Sequence, residues 1–178
     1  MRQDIKEILI GEDELKKICA RIGEDITRDY WDKDLMVIGI LKGANVFMSD
    51  LIRQIDHPLD VDFMAVSSYG LATESSGVVK ILKDLDLSIE GRDILIVEDI
   101  IDTGLTLKYL TENLWSRKPK SIKICTLLDK PARRKVDLPI DYKGVEVPDE
   151  FIVGYGIDYA EKYRNLPFVA VLKPSVYE

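Results

Sequence analysis

The sequence predicts an α/β fold built on a doubly wound, mostly parallel sheet. Two uninterrupted apolar runs, Leu35–Leu41 and Ile94–Val97, read as strands buried on both faces. Each is followed by a short glycine-containing turn and a segment of helical periodicity, the first half of a βαβ unit. Strands then alternate with helices through most of the chain. In such sheets ligands bind beyond the carboxyl ends of the strands, where the strand order switches. That rule gathers Lys42-Gly43, Glu98 to Thr106 and Leu128-Asp129-Lys130 around one crevice.

Taken in order, Ile8-Leu9-Ile10 suggests a small strand, and Asp13 reads as the N-cap of a helix. Leu15, Ile18, Cys19, Ile22, Ile26 and Tyr30 form that helix's apolar face, with Lys16, Lys17, Arg21, Glu24 and Asp25 mostly opposite. After strand Leu35–Leu41 and the Lys42-Gly43-Ala44 turn, Asn45 to Ile55 is a second helix. Leu59 to Val66 alternates Leu59, Val61 and Phe63 with Asp60 and Asp62, predicting a strand whose acidic face is wet. Ser67 to Gly77 is small, polar, glycine-rich and aperiodic, as expected of a long functional or disordered loop. Val78 to Leu82 returns as a strand, Leu85 to Gly91 connects, and Ile94–Val97 follows. Leu105, Leu107, Leu110, Leu114 and Trp115 then outline a helix ending near Lys118-Pro119. Ser121 to Leu128 is another strand, followed by a basic run from Lys130 to Lys135. Phe168 to Leu172 is the last strand.

A length of 178 residues is expected to form one domain, 1–178, with a sizeable core. The net charge of −7 argues against nonspecific binding to nucleic acid or anionic membranes, although a local basic patch could still hold phosphate. No apolar run is long enough to span a bilayer. Met1 to Glu7 is broken by charge and does not resemble a signal peptide. Cys19 and Cys125, isolated in apolar-patterned segments, suit reduced core thiols in a cytoplasmic protein. His57, the only histidine, sits before Pro58 in a connection and receives no role. Trp31 and Trp115 read as packing residues. No apolar stripe marks an oligomer interface.

The chemistry concentrates after Ile94–Val97. Glu98 and Asp99 stand where that strand would emerge, and Asp102, Thr103, Gly104 and Thr106 can form a tight turn opening a helix. Backbone N–H groups of such a turn and the helix dipole would hold a phosphate, leaving the acids for hydroxyls or a metal. The acids read alone could equally be solvated residues at a strand end. The whole stretch reads as a sugar-phosphate site.

Val97-Glu98-Asp99-Ile100-Ile101-Asp102-Thr103-Gly104-Leu105-Thr106 resembles the phosphoribosyl-pyrophosphate (PRPP) binding motif of type I phosphoribosyltransferases. It is neither a Walker loop, since no Gly-Lys-Ser/Thr follows, nor a dinucleotide fingerprint. Leu41–Ala44, Ser67–Gly70, Leu127–Lys130, and Val147–Tyr159 continuing to Tyr163–Pro167 resemble the 6-oxopurine branch, the hypoxanthine-guanine phosphoribosyltransferases. The resemblance runs from about Ile8 to Leu172 in the family's order.

That resemblance implies the type I phosphoribosyltransferase fold, with a small hood built from N- and C-terminal segments. It implies Mg²⁺-dependent transfer of phosphoribose from PRPP to a 6-oxopurine base, giving a nucleoside monophosphate and pyrophosphate. Glu98 and Asp99 would hold the ribose hydroxyls, directly or through Mg²⁺. Asp102 would be the general base near purine N7, and Asp102, Thr103, Gly104, Leu105 and Thr106 would bind the 5′-phosphate. Lys42 and Gly43 would line the pyrophosphate with a cis peptide expected between Leu41 and Lys42, and Arg164 would clamp it. Lys130 would donate to the purine O6, Phe151 would stack on the ring, and the Ile152 backbone would meet its Watson–Crick edge. Asp158 would ligate a second Mg²⁺, with its backbone near the guanine amino group. The Ser68-Tyr69 loop would close over the reacting centre. Without the resemblance, Lys42-Gly43 is a lysine and a turn glycine, Lys130 one of a basic run, Phe151 a core residue and Asp158 a turn cap. The family also suggests a homodimer or homotetramer, with no nucleic-acid or membrane partner. Two alternatives are a xanthine-preferring transferase and a nucleotide-sensing, RNA-binding regulator with the same fold.

Overall fold

The computed structural model describes residues 1–68 and 79–177. Six strands form the main sheet: β2 (Leu35–Leu41), β3 (Leu59–Ser68), β4 (Val79–Lys83), β5 (Asp93–Ile101), β6 (Ser121–Asp129) and β7 (Tyr142–Glu146), in the order β4-β3-β2-β5-β6-β7. All pairs are parallel except β3 with β4. A smaller antiparallel sheet joins β1 (Ile5–Ile10), β9 (Val169–Leu172) and β8 (Ile152–Val153). This is the hood, made from both ends of the chain.

Alternation along the central strands sorts two cores. Leu35, Val37, Leu95, Val97, Cys125 and Leu127 face helices α1 (Glu12–Asp29) and α2 (Ala44–Ile52). Met36, Ile38, Ile40, Ile94, Ile96 and Ile124 face α3 (Leu105–Trp115). Helices on both faces explain why β2 and β5 carry continuous apolar runs. The chain leaves β2 toward β3 on one side and β5 toward β6 on the other. The switch in strand order therefore falls between the carboxyl ends of β2 and β5, where Lys42-Gly43 and Glu98–Thr106 lie.

Several expectations are corrected. Gly11, not Asp13, is the N-cap of α1. Asp13 lies in the first turn beside Glu12 and Glu14, where carboxylates oppose the positive end of the helix dipole. α2 stops at Ile52, and β5 continues to Ile101 because its end still pairs with β6 after its pairing with β2 stops at Val97. Ser67 and Ser68 belong to β3 rather than to a loop. The wet face assigned to β3 is partly inverted: Asp62 is buried and Val61 exposed. Asp62 accepts N–H bonds from Phe63 (2.7 Å), Asp86 (2.8 Å) and Leu87 (3.1 Å), so it anchors the connection between β4 and β5. Trp31 and Trp115 are exposed rather than packed. Cys19 and Cys125 are free and buried. Among the described residues no helix is long and apolar enough to cross a membrane.

Candidate active site

The turn from Ile101 to Leu105 connects β5 to α3 and opens a cavity of about 210 Å³ lined by Glu98, Ile101, Asp102, Thr103, Gly104 and Thr106. Gly104 is the N-cap of α3, with φ of 80°, a left-handed conformation that glycine adopts at least cost. A Cβ there would also stand 3.0 Å from Arg134 Cδ and Val136 Cγ2. The first N–H groups of α3 have no partner within the helix and suit a phosphate dianion. The turn is braced from behind. Arg134 Nε donates to the Asp102 carbonyl (3.2 Å), Lys135 N–H to the Thr103 carbonyl (3.0 Å), and Lys130 N–H to the Ile101 carbonyl (2.9 Å). The Arg134 guanidinium also pairs with buried Asp129, whose other oxygen lies 3.5 Å from Lys143 Nζ.

Strand alternation sends the two acids to different sides. Glu98 lines the phosphate cavity, whereas Asp99 lies against Gly43, where a Cβ would overlap its carboxylate. Burial, with the neighbouring Asp99 charge, pushes the Glu98 carboxyl well above its usual range. Burial likewise pushes Asp99 up to about 6, although the Ile100 N–H (2.7 Å) and the Arg164 charge favour its ionised form. Each carboxyl resists ionisation, and a hard divalent cation or sugar hydroxyls at either one would restore its charge. Among the described residues no three acidic, histidine or cysteine side chains converge as a complete metal cage. Mg²⁺ characteristically keeps water and substrate phosphate oxygens among its ligands, so a single protein carboxylate beside such oxygens suits it.

Across the crevice the Leu41–Lys42 peptide is cis, and Lys42 Nζ lies 3.0 Å from Glu161 Oε2. Asp158 caps the Glu161 N–H (2.8 Å) and pairs with Arg164 Nη2 (2.9 Å). Arg164 Nη1 donates to the Gly156 carbonyl (2.8 Å), while its buried Nε has no partner among the described residues.

The third wall comes from β6 and the segment before β8. Lys130 is buried, and its Nζ donates to the Glu150 carbonyl (2.7 Å) with Asp149 Oδ1 at 3.9 Å. Burial pushes its ammonium down, against the pull of Asp102 and Asp149. Arg133 Nε lies 2.9 Å from Asp102 Oδ1 without hydrogen-bond alignment, and its Nη1 lies 3.6 Å from Asp149. Asp102, Arg133, Asp149 and Lys130 thus form one chain of charges from the phosphate turn to the wall. Phe151 is 37% exposed, stacked on Tyr177 (4.7 Å between centroids) and edge-on to Tyr159 (5.1 Å). Ile152 is buried in β8 and pairs with Val171. Of the loop residues, Ser68 pairs with Val79 at the end of β3, and Tyr69 lies outside the described residues.

A family profile described as "Phosphoribosyl transferase domain" matches residues 5–160. The hypoxanthine-guanine phosphoribosyltransferase of Bacillus subtilis (strain 168) is 61% identical over 178 residues, covering 100% of this chain and 99% of that one. The chain belongs to the hypoxanthine-guanine branch of the phosphoribosyltransferase family. A crystal structure of hypoxanthine phosphoribosyltransferase from Staphylococcus aureus matches it with a TM-score of 0.98 at 56% identity, covering 100% of this chain and 97% of that one. A Trypanosoma cruzi hypoxanthine phosphoribosyltransferase mutant, solved as a ternary substrates complex, matches with a TM-score of 0.93 at 39% identity, covering 99% and 100%.

This phosphoribosyltransferase also has residues near the crevice that sequence reasoning did not single out. Arg133 and Arg134 face or brace the turn at 101–105, Glu161 holds Lys42, and Tyr177 supports Phe151. The basic run from Lys130 to Lys135 was visible as a run. Its periodicity gave no sign that Arg133 and Arg134 turn back toward Asp102. A cavity of about 780 Å³ lies between α1, α2 and the segment that carries Tyr155 and Arg164. Its apolar walls around Leu15, Val46 and Leu166 lack the acid pair and phosphate turn, so the chemistry belongs to the smaller crevice.

Proposed function

We propose that the protein transfers the 5-phosphoribosyl group of PRPP to N9 of hypoxanthine or guanine, yielding IMP or GMP and pyrophosphate in purine salvage. The observation that carries this reading is the chain of charges joining Asp102, in the phosphate turn, to Lys130 on the purine wall. A base and a 6-oxo donor around one slot, beside a helix N-terminus suited to a 5′-phosphate, are what this reading requires, and that chain of charges supports it.

The bond between C1 and the pyrophosphate oxygen breaks, with the electron pair leaving on pyrophosphate, and the N9–C1 bond forms. The sugar passes through an oxocarbenium-like state, as in glycoside chemistry. Arg164 and the Lys42-Gly43 loop receive the departing anion. Asp102 takes the purine proton at N7, which raises electron density at N9. Lys130 donates to O6, where adenine would present an opposing amino donor. Phe151 covers the ring, the Ile152 backbone meets its edge, and Asp102 to Thr106 hold the 5′-phosphate. Glu98 and Asp99 orient the ribose hydroxyls and, with Asp158 near pyrophosphate, would hold Mg²⁺. The ion supplies charge neutralisation to the phosphates.

We read residues 1–178 as one domain of a cytoplasmic homodimer or homotetramer, which sedimentation of the purified protein would test. Initial rates with PRPP, Mg²⁺ and each of hypoxanthine, guanine, xanthine and adenine test the activity. Turnover with hypoxanthine and guanine but not adenine is expected. Failure of both at saturating Mg²⁺ overturns the reading, and a dominant xanthine rate would reassign the substrate.

A further inference from the structure

The two halves of the pyrophosphate site come from distant parts of the chain. Lys42-Gly43 precedes α2, whereas Asp158 and Arg164 belong to the turn-rich segment between β8 and β9. One buried side chain ties them together. The Tyr155 hydroxyl donates to Asp50 Oδ2 in α2 at 2.5 Å, and Cys19 Sγ of α1 lies 3.8 Å from the Tyr155 hydroxyl oxygen. Asp50 is held in turn by Arg53 one helical turn later. Tyr155 has a φ of 50° and lies between Gly154 (φ 98°) and Gly156 (φ 102°), so the backbone turns sharply around it.

That turn touches both halves of the site. Gly156 lies against the Gly43 carbonyl so closely that a Cβ would overlap it. The Gly156 carbonyl accepts from Arg164 Nη1 (2.8 Å), and its N–H donates to the Arg164 carbonyl (2.9 Å). Tyr155 N–H donates to the Leu166 carbonyl (2.9 Å). Burial and the Asp50 carboxylate push the phenol's pKa upward, which keeps it a donor. The purine wall is held by other contacts, Lys130 to the Glu150 carbonyl and Phe151 to Tyr177.

We propose that Tyr155 is a positioning residue whose hydrogen bond to Asp50 fixes the turn at 154–158 and Arg164 against the Lys42-Gly43 loop, and so sets the span of the pyrophosphate site. The latch rests on the pyrophosphate reading above and adds a residue that touches neither substrate. Because it acts on one side of the crevice, its loss separates affinity for pyrophosphate from affinity for the purine nucleotide.

The test compares wild type, Tyr155→Phe, Asp50→Ala, the double variant and Asp50→Asn, which keeps an acceptor. Binding of Mg²⁺-pyrophosphate and of IMP, which lacks the 2-amino group that would meet the Asp158 backbone, is measured by calorimetry, with KM for PRPP from initial rates. A lost hydrogen bond to a charged acceptor predicts that Tyr155→Phe weakens pyrophosphate binding and raises KM for PRPP by roughly tenfold, with IMP affinity changed by less than about twofold. Asp50→Ala should match it, the double variant should add little further, and Asp50→Asn should restore most of the affinity. Unchanged pyrophosphate affinity in Tyr155→Phe, or equal losses for pyrophosphate and IMP, would overturn the latch while leaving the proposed activity standing. A wild-type protein that binds neither pyrophosphate nor PRPP would overturn both.

Discussion

Gly104 occupies the left-handed region at the mouth of the phosphate cavity, and Gly104→Ala adds a Cβ against Arg134 and Val136. The substitution should cost about 1–2 kcal/mol in unfolding free energy and weaken PRPP binding, as read by denaturant titration and calorimetry. Lys130 is the residue proposed to select the base. Removing its ammonium in Lys130→Ala should narrow the preference for hypoxanthine over adenine by roughly 10- to 100-fold in kcat/KM. Unchanged ratios would return the lysine to a purely structural role. Asp99 carries a cost of function. Burial lifts its carboxyl to about 6, so the folded protein holds the proton more tightly than the unfolded chain, and ionisation opposes folding. Asp99 should therefore contribute a loss of stability to the unliganded wild type as pH rises from about 4 to 6, a contribution that Asp99→Asn removes while that of buried Glu98 remains. Above pH 6 the variant should be the more stable by on the order of 1–3 kcal/mol, and nearly inactive. Glu98 and Asp99 were legible in the sequence as an adjacent pair. Their separation onto opposite sides, one to the phosphate turn and one to Gly43, follows from β5 running on to Ile101.

At the scale of elements, β2 and β5 were readable because burial on both faces leaves an uninterrupted apolar run. The start of α1 and the faces of β3 were harder to read. A period of two says which residues share a face but not which connection returns to cover it. Asp62 shows the difference, since three backbone N–H groups, two of them from the segment after β4, converge on its carboxylate. Burial raises its pKa, but those N–H groups and Lys83 more than offset this and leave it lowered from 3.8. A depressed carboxyl contributes stability above the unfolded pKa and loses it as pH falls through the folded value. Asp62→Asn should thus cost about 1–3 kcal/mol at neutral pH. The gap to wild type should narrow below about pH 4 in urea titrations. A gap independent of pH would mean that the carboxylate's charge is not what holds the connection.

Across the whole molecule, the crevice exists because the strand order switches between β2 and β5 and the hood arches over the switch. The sheet and the phosphate turn could be read from local pattern. The hood could not be read from pattern, because β1 pairs with β9 across most of the chain length and β8 is a strand of two residues. Only the family resemblance anticipated it. The contacts that complete the site are of the same long-range kind: Lys42 with Glu161, Tyr155 with Asp50, and Asp102 with Arg133. Asp102 is proposed to receive the purine proton between the phosphate turn and Lys130. Single-turnover formation of IMP from PRPP and hypoxanthine, in wild type and Asp102→Asn with PRPP affinity measured alongside, tests it most directly. Wild type should release one pyrophosphate per IMP, and the variant should be slower by about 10²- to 10⁴-fold at nearly unchanged PRPP affinity. Equal rates in the two proteins, or a loss explained entirely by weaker PRPP binding, would contradict it.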